Sequence, residues 1–116
     1  MSDQQFCFER MDVYQVAYAA LKLVVKYRSG LHGLPGEIGP QLTRAAVSTV
    51  ALITEGFGRL GVADRRNRFA MARGEANEAG GMVELVRLFP VFNDADYGEL
   101  RLRYLRVTWM LTALME

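Results

Sequence analysis

Residues 56–61 read Gly56-Phe57-Gly58-Arg59-Leu60-Gly61, the spacing G-x-G-x-x-G. Between a strand and a helix, such glycines let a backbone approach the pyrophosphate of a dinucleotide. At the end of a helix they only stop it and turn the chain. Glu55 would stand beside the pyrophosphate in the first reading, where a carboxylate is repelled. Other groups able to do chemistry are few. His32, the one histidine, lies in a glycine-rich stretch. Cys7 has no second histidine to activate it, and Ser48 has no base near it in sequence. Di-iron bundles take ligands from paired Glu-x-x-His motifs, and none occurs here. An all-carboxylate set from Glu55, Glu75 and Glu78 competes with neighbouring arginines for those carboxylates. The expectation is a non-enzyme with no catalytic residue, no cofactor and no metal site.

The cations are lopsided: twelve arginines against Lys22 and Lys26. Arginine favours bidentate pairing with carboxylate or phosphate, which suits protein interfaces and nucleic-acid backbones alike. Arg65, Arg66, Arg68 and Arg73 fall in the first turns of an expected helix, where positive charge opposes the macrodipole. Arg101, Arg103 and Arg106 form a second group. Arg65, Arg66, Arg73, Arg103 and Arg106 are therefore the candidate contacts to RNA or DNA. The net charge of +1 supplies no global attraction to nucleic acid. No aromatic residues interleave the arginine faces, so any such contact would be to phosphate and salt-sensitive. Glu55 with Arg59, and Glu99 with Arg103, are also spaced as i,i+4 ion pairs.

What positions these groups depends on the segment before the glycines. Read as a strand, residues 44–55 do not separate into a polar and an apolar set. Read as a helix, Glu37, Gln41, Arg44, Ser48, Glu55 and Arg59 share one sector, with Leu42, Ala46, Thr49, Val50, Ile53 and Phe57 opposite. The helix accounts for the pattern and removes the dinucleotide reading. Four helices then cover the chain: about Phe8 to Arg28, Pro35 to Phe57, Val62 to Leu88, and Asn93 or Asp94, as cap, to Met115. Residues Ser29–Gly36 and Phe89–Asn93 connect them, and the short Gly58–Gly61 link makes helices two and three antiparallel neighbours. Core stripes run through Val13, Val16, Ala17, Ala20, Val24 and Tyr27. They continue through Phe69, Ala72, Ala76, Ala79, Val83 and Val86, and through Tyr97, Leu100, Tyr104, Val107, Leu111 and Leu114. The fold class is all-α, an antiparallel up-and-down four-helix bundle, as a single domain over residues 1–116. No apolar run is long enough for a membrane span, there is no signal-peptide pattern, and one cysteine suits a reducing compartment. A cytoplasmic protein without a membrane partner is expected.

Two helices carry more apolar surface than one core needs. The first has a second stripe, Tyr14, Tyr18, Leu21 and Val25; the fourth has Leu102, Leu105, Trp109 and Ala113 opposite its core side. Exposed apolar faces with aromatic anchors mark association. Self-association through Tyr14, Tyr18, Leu21, Leu102, Leu105 and Trp109 is the expectation. In the third helix Ala70, Gly74, Asn77 and Gly81 share a face beside Gly80, which would let another backbone approach closely.

The blocks Arg44-Ala45-Ala46-Val47-Ser48, Ile53-Thr54-Glu55-Gly56-Phe57-Gly58-Arg59, Phe69, and Ala72 through Glu78 resemble a known signature. It is that of the bacterial four helix bundle protein family, first noted as proteins encoded in intervening sequences of large-subunit ribosomal RNA genes. The family also includes the accessory variability protein of diversity-generating retroelements. The resemblance covers about residues 6–90, with Arg44, Ser48, Glu55, Gly56, Gly58, Arg59, Gly74 and Glu78 as signature positions. It implies a bundle that assembles into a homopentameric ring with a non-enzymatic role. Its retroelement members bind nucleic acid and a reverse transcriptase, so RNA, DNA or a nucleic-acid-processing protein enters as the alternative partner. The chain departs from the pattern at Val50, Leu52 and Glu75, where the family has proline, asparagine and serine.

Overall fold

The computed structural model describes residues 4–116. Five α-helices follow a 3₁₀ turn at Cys7–Arg10: α1 (Asp12–Lys26), α2 (Arg28–His32), α3 (Ile38–Gly58), α4 (Val62–Val86) and α5 (Asp94–Met115). The four long helices pack in the cyclic order α1, α3, α4, α5 and back to α1. Short links make sequential neighbours antiparallel, which is the up-and-down bundle. Among the described residues there is no strand, and no helix is long and apolar enough to cross a membrane.

The core follows the sequence period closely. Val13, Val16, Ala17, Ala20 and Val24 of α1 are buried, as are all six expected positions of α4. On α3, Leu42, Ala45, Ala46 and Ile53 are buried, and Thr49 joins them by donating its hydroxyl to the Ala45 carbonyl at 2.8 Å. On α5, Leu100, Tyr104, Val107 and Leu111 form the stripe, but Leu114 is 44% exposed because it lies at the helix end, past the facing core residues. Burying each aliphatic side chain contributes about 1.5–3 kcal/mol, so these stripes supply the main driving force.

The helix bounds differ from expectation at both ends of the bundle: Phe8 lies in the 3₁₀ turn, Met11 is extended, and α1 starts only at Asp12. The first helix stops at Lys26 rather than Arg28, because Tyr27 leaves helical geometry. Its ring meets Phe92 edge-on at 4.9 Å and its hydroxyl donates to Asp96. The connection after it contains α2, which buries Leu31. Gly36 then takes φ 61°, a left-handed conformation that glycine adopts without steric cost, and α3 starts at Ile38 rather than Pro35. Gly39 passes so close to α2 that a Cβ there would lie 2.2 Å from the Leu31 carbonyl oxygen. At the other end of α4 the helix stops at Val86, two residues before Leu88. The expected cap of α5 is Asn93, whose side-chain oxygen accepts from the Asp96 N–H at 2.7 Å.

Candidate interaction surfaces

The G-x-G-x-x-G segment ends one helix and begins the next. Gly58 is the last residue of α3, Arg59 is extended, and Gly61 caps α4 in extended geometry. None of its glycines uses a positive φ. Gly56 is needed for packing instead: a Cβ would fall 2.4 Å from the buried ring of Phe69, which itself meets Phe57 at 5.0 Å. Glu55 stands at this corner within 4.0 Å of Arg59 and 3.8 Å of Arg68, and Arg59 also lies 3.7 Å from Asp64. These are exposed ion pairs of small energetic weight. Arg44 is exposed and Ser48 half-buried on α3, while Gly74 and Glu78 face outward on α4. On the small-residue stripe of α4, Cβ atoms at Gly74 and Gly81 would find open space among the described residues. A Cβ at Gly80 would meet α5 at Tyr104. The Tyr104 hydroxyl is buried without a hydrogen-bond partner among the described residues, and that burial pushes its pKa upward.

The arginines are largely committed within the chain. Arg65 donates to the Arg59 carbonyl at 2.8 Å and to the Phe57 carbonyl at 3.3 Å, covering the end of α3. Arg66 donates through Nε and Nη2 to the Met115 carbonyl, at 2.8 and 2.6 Å, covering the end of α5. Positive charge placed on a helix C-terminus agrees with its dipole, which answers the apparent conflict with the α4 N-terminus. Arg73 donates to Thr112 Oγ1 at 2.8 Å, and Arg103 pairs with Glu99 at 2.7 Å. Arg106 alone of the five candidate contacts makes no hydrogen bond or ion pair among the described residues. Sequence spacing exposed the Glu99–Arg103 pair, but the capping bonds join residues 6 to 49 positions apart and leave no local signal. Cys7 and His32 sit at opposite ends of the bundle, in the 3₁₀ turn and on α2.

The two extra apolar stripes occupy separate faces. On α1, Tyr18 is 46% exposed and Val25 51%, while Tyr14 and Leu21 are half-buried. Phe6, Phe8, Tyr14 and Tyr18 form a ladder of rings with centroids 5.0–5.6 Å apart, which extends this face over the 3₁₀ turn. On α5, Leu102, Leu105 and Trp109 are 50%, 40% and 60% exposed. Leu105 leans toward α4, lining the groove with Gly80 and Gly81. Between the two faces runs the α1–α5 groove, lined by Lys22, Asp96, Glu99 and Arg103 among others. A charged strip therefore separates two apolar patches on one molecule.

The α2 end of the bundle is fastened by carboxylates. Asp96 accepts from Lys26 Nζ at 2.9 Å and from the Tyr27 hydroxyl; the hydroxyl, then the ammonium, hold its pKa below the usual carboxylate range. Glu84 of α4 accepts from the Tyr97 hydroxyl at 2.7 and 2.9 Å and from Arg101 at 2.9 Å. Tyr97 first, then Arg101, lower its pKa despite opposing desolvation. Arg87 stacks on the Tyr97 ring at 4.2 Å.

A family model described as 23S rRNA-intervening sequence protein matches residues 9–113. A search of curated proteins found no match. Among solved structures, the chain is similar to a crystal structure of a protein with unknown function from the S23 ribosomal protein family, from Bacteroides thetaiotaomicron VPI-5482. The two are 21% identical with a TM-score of 0.78, over 90% of this chain and 98% of that one.

Proposed function

The chain belongs to the 23S rRNA-intervening sequence protein family, and on that premise we propose that it is a non-enzymatic scaffold, a homo-oligomeric ring of five copies that presents a surface to other macromolecules. One observation carries this reading: the exposed apolar faces of α1 and α5 are different patches kept apart by the charged α1–α5 groove. A single self-complementary patch serves a two-fold dimer. Two distinct patches serve a head-to-tail contact, in which the α1 face of one copy covers the α5 face of the next and rotation closes a ring. Tyr18, Leu105 and Trp109 are the anchors of that contact, being large, exposed and amphipathic or apolar.

The internal work of Arg65, Arg66, Arg73 and Arg103 supports this reading over one in which those side chains meet nucleic-acid phosphates. Light scattering at micromolar concentration tests the scaffold: a mass several times 13.0 kDa is expected, and 13.0 kDa refutes it. Mobility shifts with structured RNA across a salt series test the arginines. No shift is expected at physiological salt, and a sequence-independent complex that dissolves steeply with salt would restore the nucleic-acid reading.

A further inference from the structure

The end of the bundle that holds the α3–α4 turn carries both a knob and a hole. Leu60, between Arg59 and Gly61 in that turn, is 100% exposed, and Val62 just beyond it is 72% exposed. A lone exposed leucine needs no explanation. Here a matching groove of about 300 Å³ opens at the same end, between the start of α1 and the ends of α3 and α5. Val13, Phe57, Met110 and Leu114 give it an apolar wall, and the unbranched methionine side chain can adapt to an incoming group. Asp12 stands at its rim, exposed and with no ion pair among the described residues. Arg59, beside Leu60, has no hydrogen bond from its guanidinium among the described residues and is held there by ion pairs of 3.7 and 4.0 Å. The knob thus carries a loosely held cation, and the hole an unpaired carboxylate.

The geometry points to a second copy of this chain as the occupant: Leu60 of one copy seats between Val13, Phe57, Met110 and Leu114 of another, and Arg59 meets its Asp12. Leu60 cannot serve its own groove, since it is fully exposed only three residues after Phe57. This end contact adds to the side faces of α1 and α5 and rests on the reading that the chain self-associates. Burying Leu60 while Arg59, held at 3.7 and 4.0 Å in its present ion pairs, turns to an unpaired carboxylate sets the register of the contact.

Site-directed cross-linking tests it. All chains carry Cys7→Ser, and differently tagged Leu60→Cys and Leu114→Cys copies are co-expressed and treated with a short bis-maleimide. The control replaces Leu60→Cys by Leu88→Cys, which is 78% exposed at the other end of the bundle. A linked species of twice 13.0 kDa carrying both tags is expected, at least fivefold above the control. Equal yields in the two mixtures, or no linked species, overturn the end contact. A wild-type chain that runs at one copy would sink self-association itself, whereas an assembled chain without the 60–114 link sinks this contact alone.

Discussion

The two ends of the bundle are closed by opposite means. At the α2 end, carboxylates gather donors: Asp96 takes Lys26 and Tyr27, and Glu84 takes Tyr97 and Arg101. Several apolar side chains there turn inward, with Tyr27 on Phe92 and Leu31 buried, while Val25, Leu85 and Leu88 stay exposed. At the α3–α4 turn end, arginines cover helix carbonyls, and Phe6, Leu60, Val62, Trp109 and Leu114 remain exposed. One end satisfies itself; the other leaves apolar surface exposed. In the proposed assembly that surface is available to a further copy, while the α2 end holds the helices in register.

Helix α3 puts a glycine at each end, and these sharpen the contrast most. Gly39→Ala drives a methyl into the Leu31 carbonyl, backbone that cannot move without displacing α2. It should cost about 3 kcal/mol or more in urea unfolding. Gly56→Ala meets only the Phe69 ring, which can shift, and should cost about 1–3 kcal/mol. A larger loss at Gly56 than at Gly39 would reverse the assignment of the rigid end.

The carboxylate end should answer to acid. Asp96 and Glu84 both have folded-state pKa values lowered by their donors. Such groups contribute stability that is complete above the ordinary carboxylate range and is lost as pH falls through their lowered values. Midpoints of urea unfolding followed downward from neutral pH should therefore fall, and Asp96→Asn with Glu84→Gln should flatten that slope. An unchanged slope in the double variant would remove these two groups from the account. The smallest effect belongs to the arginine end: Arg66→Ala removes an exposed cap on Met115 and should cost about 0.5 kcal/mol, with little dependence on pH between 5 and 8.

The bundle was legible because period decides it: the α4 stripe from Phe69 to Val86 could be read residue by residue from spacings of three and four. The ends were not. Tyr27 breaks the first helix through contacts with Phe92 and Asp96, about seventy positions away, which no local pattern encodes. In the arginine clusters, sequence shows charge but not the carbonyls that Arg65 and Arg66 cover. The same limit applies to Gly56, whose role depends on a ring thirteen residues later rather than on a turn. The apolar stripes of α1 and α5 were visible in the sequence, whereas the charged strip between them emerged only once Lys22 and Glu99 faced one groove.

The central claim is that the α1 face of one copy covers the α5 face of another, and mixing two variants tests it most directly. Tyr18→Glu spoils the first face and Trp109→Glu the second, both at exposed positions that leave the core intact. Each variant alone forms neither ring nor pair through these faces. Mixed in equal amounts, they retain one intact contact between them, and light scattering should report a species of twice 13.0 kDa. A mixture that stays at the mass of its separate components, from a wild type that does assemble, would contradict the head-to-tail contact.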